Sequence, residues 1–273
     1  MVTKVAVAQM LSGADLDLNM RCVRDLASQA AKQSAKILVL PENFALFDSA
    51  KLIDLAKSEA RSSFIHNALS ALAKEFGLWI IAGSVPLFLR SIDKVTASCL
   101  VFDDKGELVS RYDKIHLFDV DLADRQSSYR ESDLFEPGSQ LQIVDSPFGV
   151  IGLSICYDLR FPEQYQKLRA LGAQIIVVPS AFTYLTGQAH WEVLLRARAI
   201  ENQCYILAAN QGGQHSETRT SWGNSMVVDP WGEVLAIKTQ SGAGLVLAEI
   251  DLAEVHNRRQ AMPIMQHRNK AGF

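Results

Sequence analysis

Two segments of the sequence repeat one pattern, and this repeat constrains the fold more than any other feature. Residues 35–44 read AKILVLPENF and residues 173–182 read AQIIVVPSAF. Both follow Ala-x-Ile-apolar-Val-apolar-Pro-x-x-Phe, and they are 138 positions apart (173 − 35 = 138). A nearly continuous apolar run is typical of a strand that is covered on both faces. The repeat therefore predicts two strand–helix–strand units, each with a buried second strand.

Strand and helix patterns alternate along the chain, which is typical of an α/β protein. Predicted strands lie at 5–10, 37–40, 79–85, 96–103, 150–156, 175–179, 205–210, 225–230 and 234–238. Predicted helices lie near 18–34, 58–76, 162–171 and 189–202. Residues 225–238 also predict a hairpin that turns at 229–232. We expect a single domain over 1–273, because open α/β sheets commonly reach this size.

The charge balance argues against nucleic acid as a partner. The chain has 27 basic and 30 acidic residues, a net charge of -3, and no run of like charge, whereas phosphate binding needs a basic patch. No apolar stretch approaches the roughly 20 residues that cross a bilayer, and the N-terminus lacks a signal peptide. We therefore expect a cytoplasmic protein that does not bind membranes.

The four cysteines do not predict a disulfide framework, since they are widely spaced and form no Cys-x-x-Cys pair. One of them, Cys156, ends a predicted apolar strand and precedes Pro162, which suits the first turn of a helix. A strand-to-helix turn exposes a nucleophile, and a helix N-terminus favours the reactive thiolate. The alternative is a structural cysteine, because free cysteine is among the most buried residue types.

Two further residues have the chemistry to assist a nucleophilic thiol. Glu42 ends the equivalent strand of the first unit, where a carboxylate suits a general base. Lys114, in RYDKIHLF, is flanked by apolar residues, and a fixed cation would stabilise an oxyanion together with the backbone N–H of Tyr157. Taken singly, Glu42 is better explained by a salt bridge or a helix N-terminal charge, and Lys114 by an exposed position. Together with Cys156 they predict a cysteine hydrolase without metal or organic cofactor.

Three motifs, in order, resemble those of the nitrilase superfamily of carbon–nitrogen hydrolases. They are LPENF around Glu42, YDKIHLFDVD around Lys114 and ICYDLRFPE around Cys156, with spacings of 72 (114 − 42) and 42 (156 − 114) residues. The resemblance implies a four-layer αββα sandwich that forms a homodimer. It also implies that Glu42 is the base, Lys114 the oxyanion stabiliser and Cys156 the nucleophile. The second glutamate of the family corresponds to Glu131, which would orient the lysine or the substrate.

Within the superfamily, the sequence around 179–213 resembles the Nit branch of amidases. The resemblance implies an amide of an α-keto acid as substrate, with deaminated glutathione favoured by residues 203–205 and 215–232. The alternatives are an ω-amidase acting on α-ketoglutaramate and an N-carbamoyl amino acid hydrolase. Either way, the expected partners are a small amide and water. A protein that kept the fold but lost catalysis is the non-enzymatic alternative.

Several residues are expected to bind this substrate. Arg160, four residues after Cys156, could hold a carboxylate in bidentate fashion, and the resemblance assigns it that role too. Phe182, Thr183 and Thr186 match positions that line the family's pocket. The polar stretch 119–140 predicts a long functional loop. The tail 251–273 predicts a short helix and then an extended segment, which we expect in the dimer interface.

Two other chemistries are weaker alternatives. A cysteine–histidine hydrolase would need His190 or His116 beside Cys156. A metal site could be sought at His116, Asp119 and Asp121, but no familiar ligand spacing accompanies them. No glycine-rich phosphate loop occurs in the sequence.

Overall fold

The chain folds into two six-stranded sheets that pack face to face, with helices on the outer face of each. This computed structural model describes residues 2–90, 93–124 and 126–270. The strands are β1 (Val2–Gln9), β2 (Ile37–Leu40), β3 (Trp79–Leu87), β4 (Thr96–Phe102), β5 (Leu108–Asp113), β6 (Asp119–Asp121), β7 (Ser128–Arg130), β8 (Ile143–Ser146), β9 (Gly149–Leu153), β10 (Ile175–Val177), β11 (Tyr205–Ala208), β12 (Gly212–Gln214), β13 (Thr220–Trp222), β14 (Met226–Val228), β15 (Val234–Ile237) and β16 (Gly244–Asp251). The helices are α1 (Leu16–Lys32), α2 (Leu52–Ser62), α3 (Phe64–Phe76), α4 (Pro162–Ala170), α5 (Tyr184–Asn202), α6 (Leu252–Ala261) and α7 (Ile264–Lys270). The predicted αββα sandwich is confirmed.

The two sheets share one topology. The first has the order β16-β1-β2-β3-β4-β5 and the second the order β15-β14-β11-β10-β9-β8. In each, three parallel strands (β1, β2 and β3, or β9, β10 and β11) lie between antiparallel neighbours. The repeated sequences form β2 and β10, the middle strands of the two parallel sets. The prediction of two related units is therefore confirmed.

The apolar composition of β2 follows from its two covered faces. Ile37 and Val39 join a core cluster shared with the second sheet. Leu38 and Leu40 join a separate cluster with side chains of α1, α2 and α3. All four residues are fully buried. Because every position of β2 faces one core or the other, no polar alternation is left in its sequence.

Several predicted boundaries differ from the structure. The helix predicted near 58–76 is two helices that meet at Ser63, whose φ is +51°. The Glu59 carboxylate accepts hydrogen bonds from the N–H groups of Ile65 (2.8 Å) and His66 (2.9 Å), so it satisfies donors that a new helix start leaves free. The helix predicted near 189–202 begins earlier, at Tyr184. Because residue 63 is a serine and neither glycine nor proline, the sequence gives no clear signal for a break between the two helices.

The polar stretch 119–140 is more ordered than the predicted loop. It contains the β6–β7 hairpin, in which Asp119 pairs with Arg130, and a 3-10 turn at Glu131–Asp133. The predicted hairpin at 225–238 is confirmed as β14 and β15. The Asp229 carboxylate closes its turn by accepting hydrogen bonds from the N–H groups of Trp231 (2.9 Å) and Glu233 (2.7 Å).

The tail differs from its prediction in the segment after α6. That segment forms α7 and is not extended. The side chain of Gln203 donates to the carbonyls of Arg258 (3.1 Å) and Met262 (2.8 Å), and the Arg259 guanidinium donates to the Ala173 carbonyl (2.6 Å). These bonds hold the end of α6 against Gln203 and Ala173 of the same chain, and α7 follows it. Residues 271–273 of the predicted tail lie outside the described residues.

Candidate functional site

A cavity of about 670 Å³ opens at the carboxyl ends of strands from both sheets. Glu42 follows β2 and Cys156 follows β9, and both line the cavity with Lys114 and Glu131. Ligand sites in open α/β sheets lie at such strand ends. The volume is within the range of sites that bind drug-sized ligands. The structure thus brings the four residues of the predicted catalytic set into one cavity.

The Lys114 ammonium lies between two carboxylates on the cavity floor. Its Nζ is 2.8 Å from Glu42 Oε1 and 2.8 Å and 2.9 Å from the two oxygens of Glu131. Only 1% of Lys114 and 4% of Glu42 is exposed. Glu131 also accepts the N–H of Phe118 (2.6 Å). The three N–H groups of the ammonium therefore all have acceptors.

Burial and charge oppose each other in this cluster. Burial by itself lowers the pKa of Lys114, but the charges of Glu131 and Glu42 outweigh it and raise the pKa well above its usual range. Burial raises the pKa of Glu131, against the lowering effect of the lysine. Lys114 is therefore a permanent cation in the site.

Local backbone geometry places Glu42 at the cavity. Pro41 ends β2, because proline has no N–H to continue the ladder. A Cβ at Gly83 in β3 would overlap the carbonyl of Pro41, so this close approach requires glycine. The side chain of Gln211 donates to the Glu42 carbonyl (3.0 Å). These contacts fix the backbone from which the carboxylate projects.

Cys156 occupies a strained turn at the end of β9. Its φ is +47°, a region that costs a non-glycine residue about 1–2 kcal/mol. Its N–H donates to the Pro179 carbonyl (2.8 Å), and its thiol lines the same cavity as the Glu42 carboxylate, whose charge acts on it. Strain of this kind is common where a reactive group must be held in a set direction.

The expectation that a helix N-terminus would favour the Cys156 thiolate is wrong. Cys156 begins a five-residue 3-10 turn, and α4 starts only at Pro162. Burial raises the pKa of the Cys156 thiol, and the negative charge of Glu42 raises it further, while Lys114 lowers it. The raised pKa favours the protonated thiol at rest, with the Glu42 carboxylate in the same cavity.

The predicted equivalence of the Glu42 and Cys156 strands is also wrong. By topology, β2 corresponds to β10, and β9 corresponds to β1. The two residues meet because the sheets pack face to face and turn the carboxyl ends of non-equivalent strands toward one cavity. The repeat identifies the units but not how they face each other.

The predicted substrate-binding residues line the same cavity as the cysteine. Tyr157, Arg160, Phe182, Thr183 and Thr186 all contribute to its wall. The Arg160 guanidinium lies 5.3 Å from the ring centroid of Phe182 and 5.8 Å from that of Tyr157, and it is 3.3 Å from His190 Nδ1. The hydroxyl groups of Thr183 and Thr186 are 2.8 Å apart. The cavity thus places a cation on an aromatic wall near the thiol.

The histidines of the alternative mechanism have other partners. His116 Nδ1 is 2.7 Å from the Asp158 carboxylate, and its ring stacks on Phe161 at 3.6 Å. His190 contacts Arg160. The carboxylate whose charge acts on the thiol is that of Glu42. This geometry favours the glutamate over the cysteine–histidine alternative.

Sequence reasoning missed Asp158, which connects the lysine and cysteine segments. Fully buried, it accepts hydrogen bonds from Tyr112 Oη (2.7 Å) and the Ile155 N–H (2.9 Å), and from the N–H of His116 (3.1 Å). It also missed four residues of the cavity wall, namely Phe47, Tyr129, His215 and Arg219. Of these four, only His215 and Arg219 lie in a stretch that the sequence singles out, residues 215–232, and the sequence assigned no role to either residue.

Two absences hold for the part of the chain that the structure describes. There, no group of three or more histidine, cysteine or acidic side chains is placed to hold a metal ion. In the same residues, no helix has both the length and the apolar character needed to cross a membrane.

Comparison with known proteins identifies the family. Residues 4–260 match the family model described as carbon-nitrogen hydrolase. The chain belongs to this family. A curated relative, the deaminated glutathione amidase of Yersinia enterocolitica, is 43% identical over 264 residues, which cover 96% of this chain and 92% of that protein. The chain is therefore a hydrolase whose curated relatives include amidases.

Solved structures agree with the assignment to the carbon–nitrogen hydrolases. The C. elegans NitFhit protein superposes with a TM-score of 0.91 at 37% identity, and the match covers all of this chain and 66% of that chain. Nit3 of Saccharomyces cerevisiae, described as a member of branch 10 of the nitrilase superfamily, superposes with a TM-score of 0.86 at 29% identity, covering 98% of this chain and 96% of that chain.

Proposed function

We propose that this hydrolase cleaves the amide of a small α-keto acid that carries a carboxylate, and that its substrate is deaminated glutathione. The observation that carries the proposal is the Lys114 ammonium, buried between Glu42 and Glu131 beside the Cys156 thiol. A nucleophile, a proton acceptor and a fixed cation are the groups that acyl transfer requires. The name of the Yersinia relative supports the substrate.

In the proposed acylation, Cys156 Sγ attacks the amide carbonyl carbon while Glu42 takes the thiol proton. The oxyanion accepts hydrogen bonds from Lys114 Nζ and the Tyr157 N–H. The carbon–nitrogen bond then breaks, and Glu42 gives its proton to the departing amine. A thioester on Cys156 remains. Direct transfer to Glu42 explains how a thiol with a raised pKa can react.

In the proposed deacylation, Glu42 removes a proton from a water molecule while the water oxygen attacks the thioester carbonyl carbon. The carbon–sulfur bond breaks, the carboxylic acid leaves, and the proton on Glu42 returns to the sulfur. One water is consumed for each amide cleaved. The scheme needs no metal or organic cofactor.

The lysine contacts explain how one cation serves both states of the site. In the resting site, Glu42 and the two oxygens of Glu131 accept the N–H groups of Lys114. When Glu42 takes the thiol proton, its carboxyl loses its charge and becomes a weaker acceptor. The N–H it held is then released to the oxyanion, while Glu131 keeps the ammonium in place. Glu131 is thus a positioning residue in this proposal.

The proposed anchor for the keto-acid carboxylate is Arg160. Its guanidinium lies on the aromatic wall formed by Tyr157 and Phe182. A planar guanidinium binds carboxylates in bidentate fashion. Thr183 and Thr186, both nearly buried, would border the acyl part of the substrate.

The decisive experiment measures kcat/KM on a panel of deaminated glutathione, α-ketoglutaramate, aliphatic amides, N-carbamoyl amino acids and a nitrile. We expect the highest value for deaminated glutathione and an acyl adduct on Cys156, but not on Cys99 or Cys204, by mass spectrometry. A preference for α-ketoglutaramate would indicate an ω-amidase instead. Cys156→Ala is the control for background hydrolysis. No turnover on any member, with no adduct, would contradict the proposal.

The proposal includes a cytoplasmic homodimer. All four cysteines are free, and three of them are buried, which suits a reducing compartment. Apolar side chains are exposed along α5, including Val193 at 67% and Ile200 at 48%. Exposed apolar surface is typical of protein interfaces when it is contiguous, and these side chains support the proposed homodimer.

A further inference from the structure

Arg219 is a second cation in the cavity wall, and the catalytic scheme does not use it. It lies between β12 and β13 and lines the cavity. Its guanidinium carbon is 4.8 Å from the ring centroid of Tyr129 and 5.5 Å from that of Phe47. Arginine stacked on aromatic rings keeps its N–H edge available for a ligand.

The polar contacts of Arg219 are incomplete. Its Nε is buried and has no hydrogen-bond partner among the described residues. Its Nη2 donates to the Ala181 carbonyl at 3.3 Å, a long bond. A buried donor of a charged group that lacks a partner is destabilising, so such groups require an explanation. A bound anion would supply the acceptors that the resting site lacks.

The hairpin that carries Arg219 is fixed against the rest of the molecule. The N–H of His215 donates to the Arg219 carbonyl (2.9 Å). His215 Nδ1 is 2.8 Å from the Ser12 carbonyl, its Nε2 is 3.0 Å from Ser221 Oγ, and its ring stacks on Phe47 at 3.9 Å. A guanidinium presented from a fixed hairpin loses little entropy when it binds a ligand.

The two arginines stack on different pairs of aromatic rings, although the Ala181 carbonyl that Arg219 contacts lies next to Phe182. The rings beside Arg160 belong to the segments that follow β9 and β10, next to Cys156. The rings beside Arg219 belong to the segments of Glu42 and Glu131, because Phe47 lies five residues after Glu42 and Tyr129 two residues before Glu131. In the proposed reaction the leaving amine takes its proton from Glu42, which would direct the leaving half of the substrate toward the segment that carries Phe47, beside Arg219.

We infer that Arg219 binds a second carboxylate, carried by the leaving-amine half of the substrate. This inference rests on the proposed amidase function and narrows its substrate to amides with a carboxylate at each end. A cavity of about 670 Å³ suits such a molecule better than a five-carbon keto amide. In deaminated glutathione, the glycine carboxylate would be this second anion.

The test compares two substrates that differ only at that carboxylate, deaminated glutathione and its C-terminal carboxamide. For the wild-type enzyme we expect kcat/KM to be about 10- to 100-fold higher for the acid, the range expected for charge-assisted hydrogen bonds. In Arg219→Gln this ratio should fall close to one, and in Arg219→Lys it should be intermediate. Each ratio is internally controlled, because both substrates are measured on one preparation.

Arg130→Gln is the matched control, since it removes the same charge from the same cavity, where Arg130 pairs with Asp121 (2.8 Å). It should keep the wild-type ratio. An equal fall of the ratio in Arg219→Gln and Arg130→Gln would overturn the inference, because it would indicate a general effect of positive charge in the cavity. An unchanged ratio in Arg219→Gln would also overturn it. Wild-type turnover of α-ketoglutaramate with no preference for the acid would overturn only this inference. Inactivity on all three substrates would overturn the proposed function with it.

Discussion

The buried charge of Lys114 depends on the two carboxylates that surround its ammonium. Its side chain is 1% exposed and touches the carboxylates of Glu42 and Glu131. Removing one charge from a buried network leaves the others unpaired, and the cost is much larger than for a surface pair. The lysine is therefore as important for the integrity of the site as for the proposed chemistry.

Replacing Lys114 with methionine should lower the free energy of unfolding at pH 7.5 by about 3–5 kcal/mol, because two buried carboxylates would face each other without a cation. Adding Glu131→Gln to Lys114→Met should restore part of this loss. Urea unfolding of the single and double variants measures both effects.

The control is Lys57→Met, which removes the same side chain from an exposed pair with Asp54 at 3.8 Å and should change stability little. If Lys114→Met were no more destabilising than Lys57→Met, the buried network would not stabilise the fold.

Motif order was enough to predict the residues around the thiol, but not those that complete the site. Glu42, Lys114 and Cys156 each lie in a recognisable motif, and the structure brings the three residues to one cavity. Asp158 and Arg219 act through partners that are distant in sequence, such as Tyr112 for Asp158 and Phe47 for Arg219. A sequence pattern cannot show such partners before the fold is known.

At the scale of elements, buried strands were the easiest to predict. β2 and β10 are apolar at every position, because both of their faces are covered. β8 and β16 were missed, since they lie at the edges of the two sheets and have mixed burial. β15, at another edge, was predicted as part of a hairpin, whereas β16 is defined by its pairing with β1.

The β12–β13 hairpin is joined to the segment after β1 through a neutral histidine. Burial and the nearby charge of Arg219, against a raising effect of the Ser12 carbonyl, together lower the pKa of His215 to about 4. The unfolded chain, with a histidine pKa of about 6.5, binds more protons than the folded chain below that pH. Stability from this group is therefore present above pH 6.5 and is lost as pH falls toward 4.

Between pH 7.5 and pH 5.0, the His215 contribution to the free energy of unfolding should fall by about 2 kcal/mol. His215→Gln should be less stable at pH 7.5 and should lose correspondingly less on acidification, as measured by urea unfolding at both pH values. Ser221→Ala is the matched control, because it removes a partner of His215 and keeps the imidazole. An acid-induced loss in His215→Gln equal to that of wild type would rule out this role.

At the scale of the whole molecule, the repeat predicts two units but not their arrangement. Cys156 and Glu42 follow non-equivalent strands, and only face-to-face packing of the sheets brings them to one cavity. That packing depends on the shapes of many inward side chains and leaves no local signal. The family resemblance was therefore enough to predict the αββα architecture. Which strands of the two sheets correspond to each other follows only from the structure.

The outer surface of α5 is the face that we expect to form the interface of the proposed dimer. Val193 is 67% exposed and Ile200 48%, and Trp231, also exposed at 55%, precedes Gly232, which lies against Ile200. A stable dimer buries about 800 Å² on each partner, and a charge placed in its apolar centre should dissociate it. We expect Val193→Glu to shift the protein from dimer to monomer in light scattering coupled to size-exclusion chromatography, with its melting temperature measured alongside. Leu18→Glu places the same charge on α1, at a residue that is 55% exposed, and should leave the dimer intact. A wild-type monomer, or dimers in both variants, would show that α5 is not the interface.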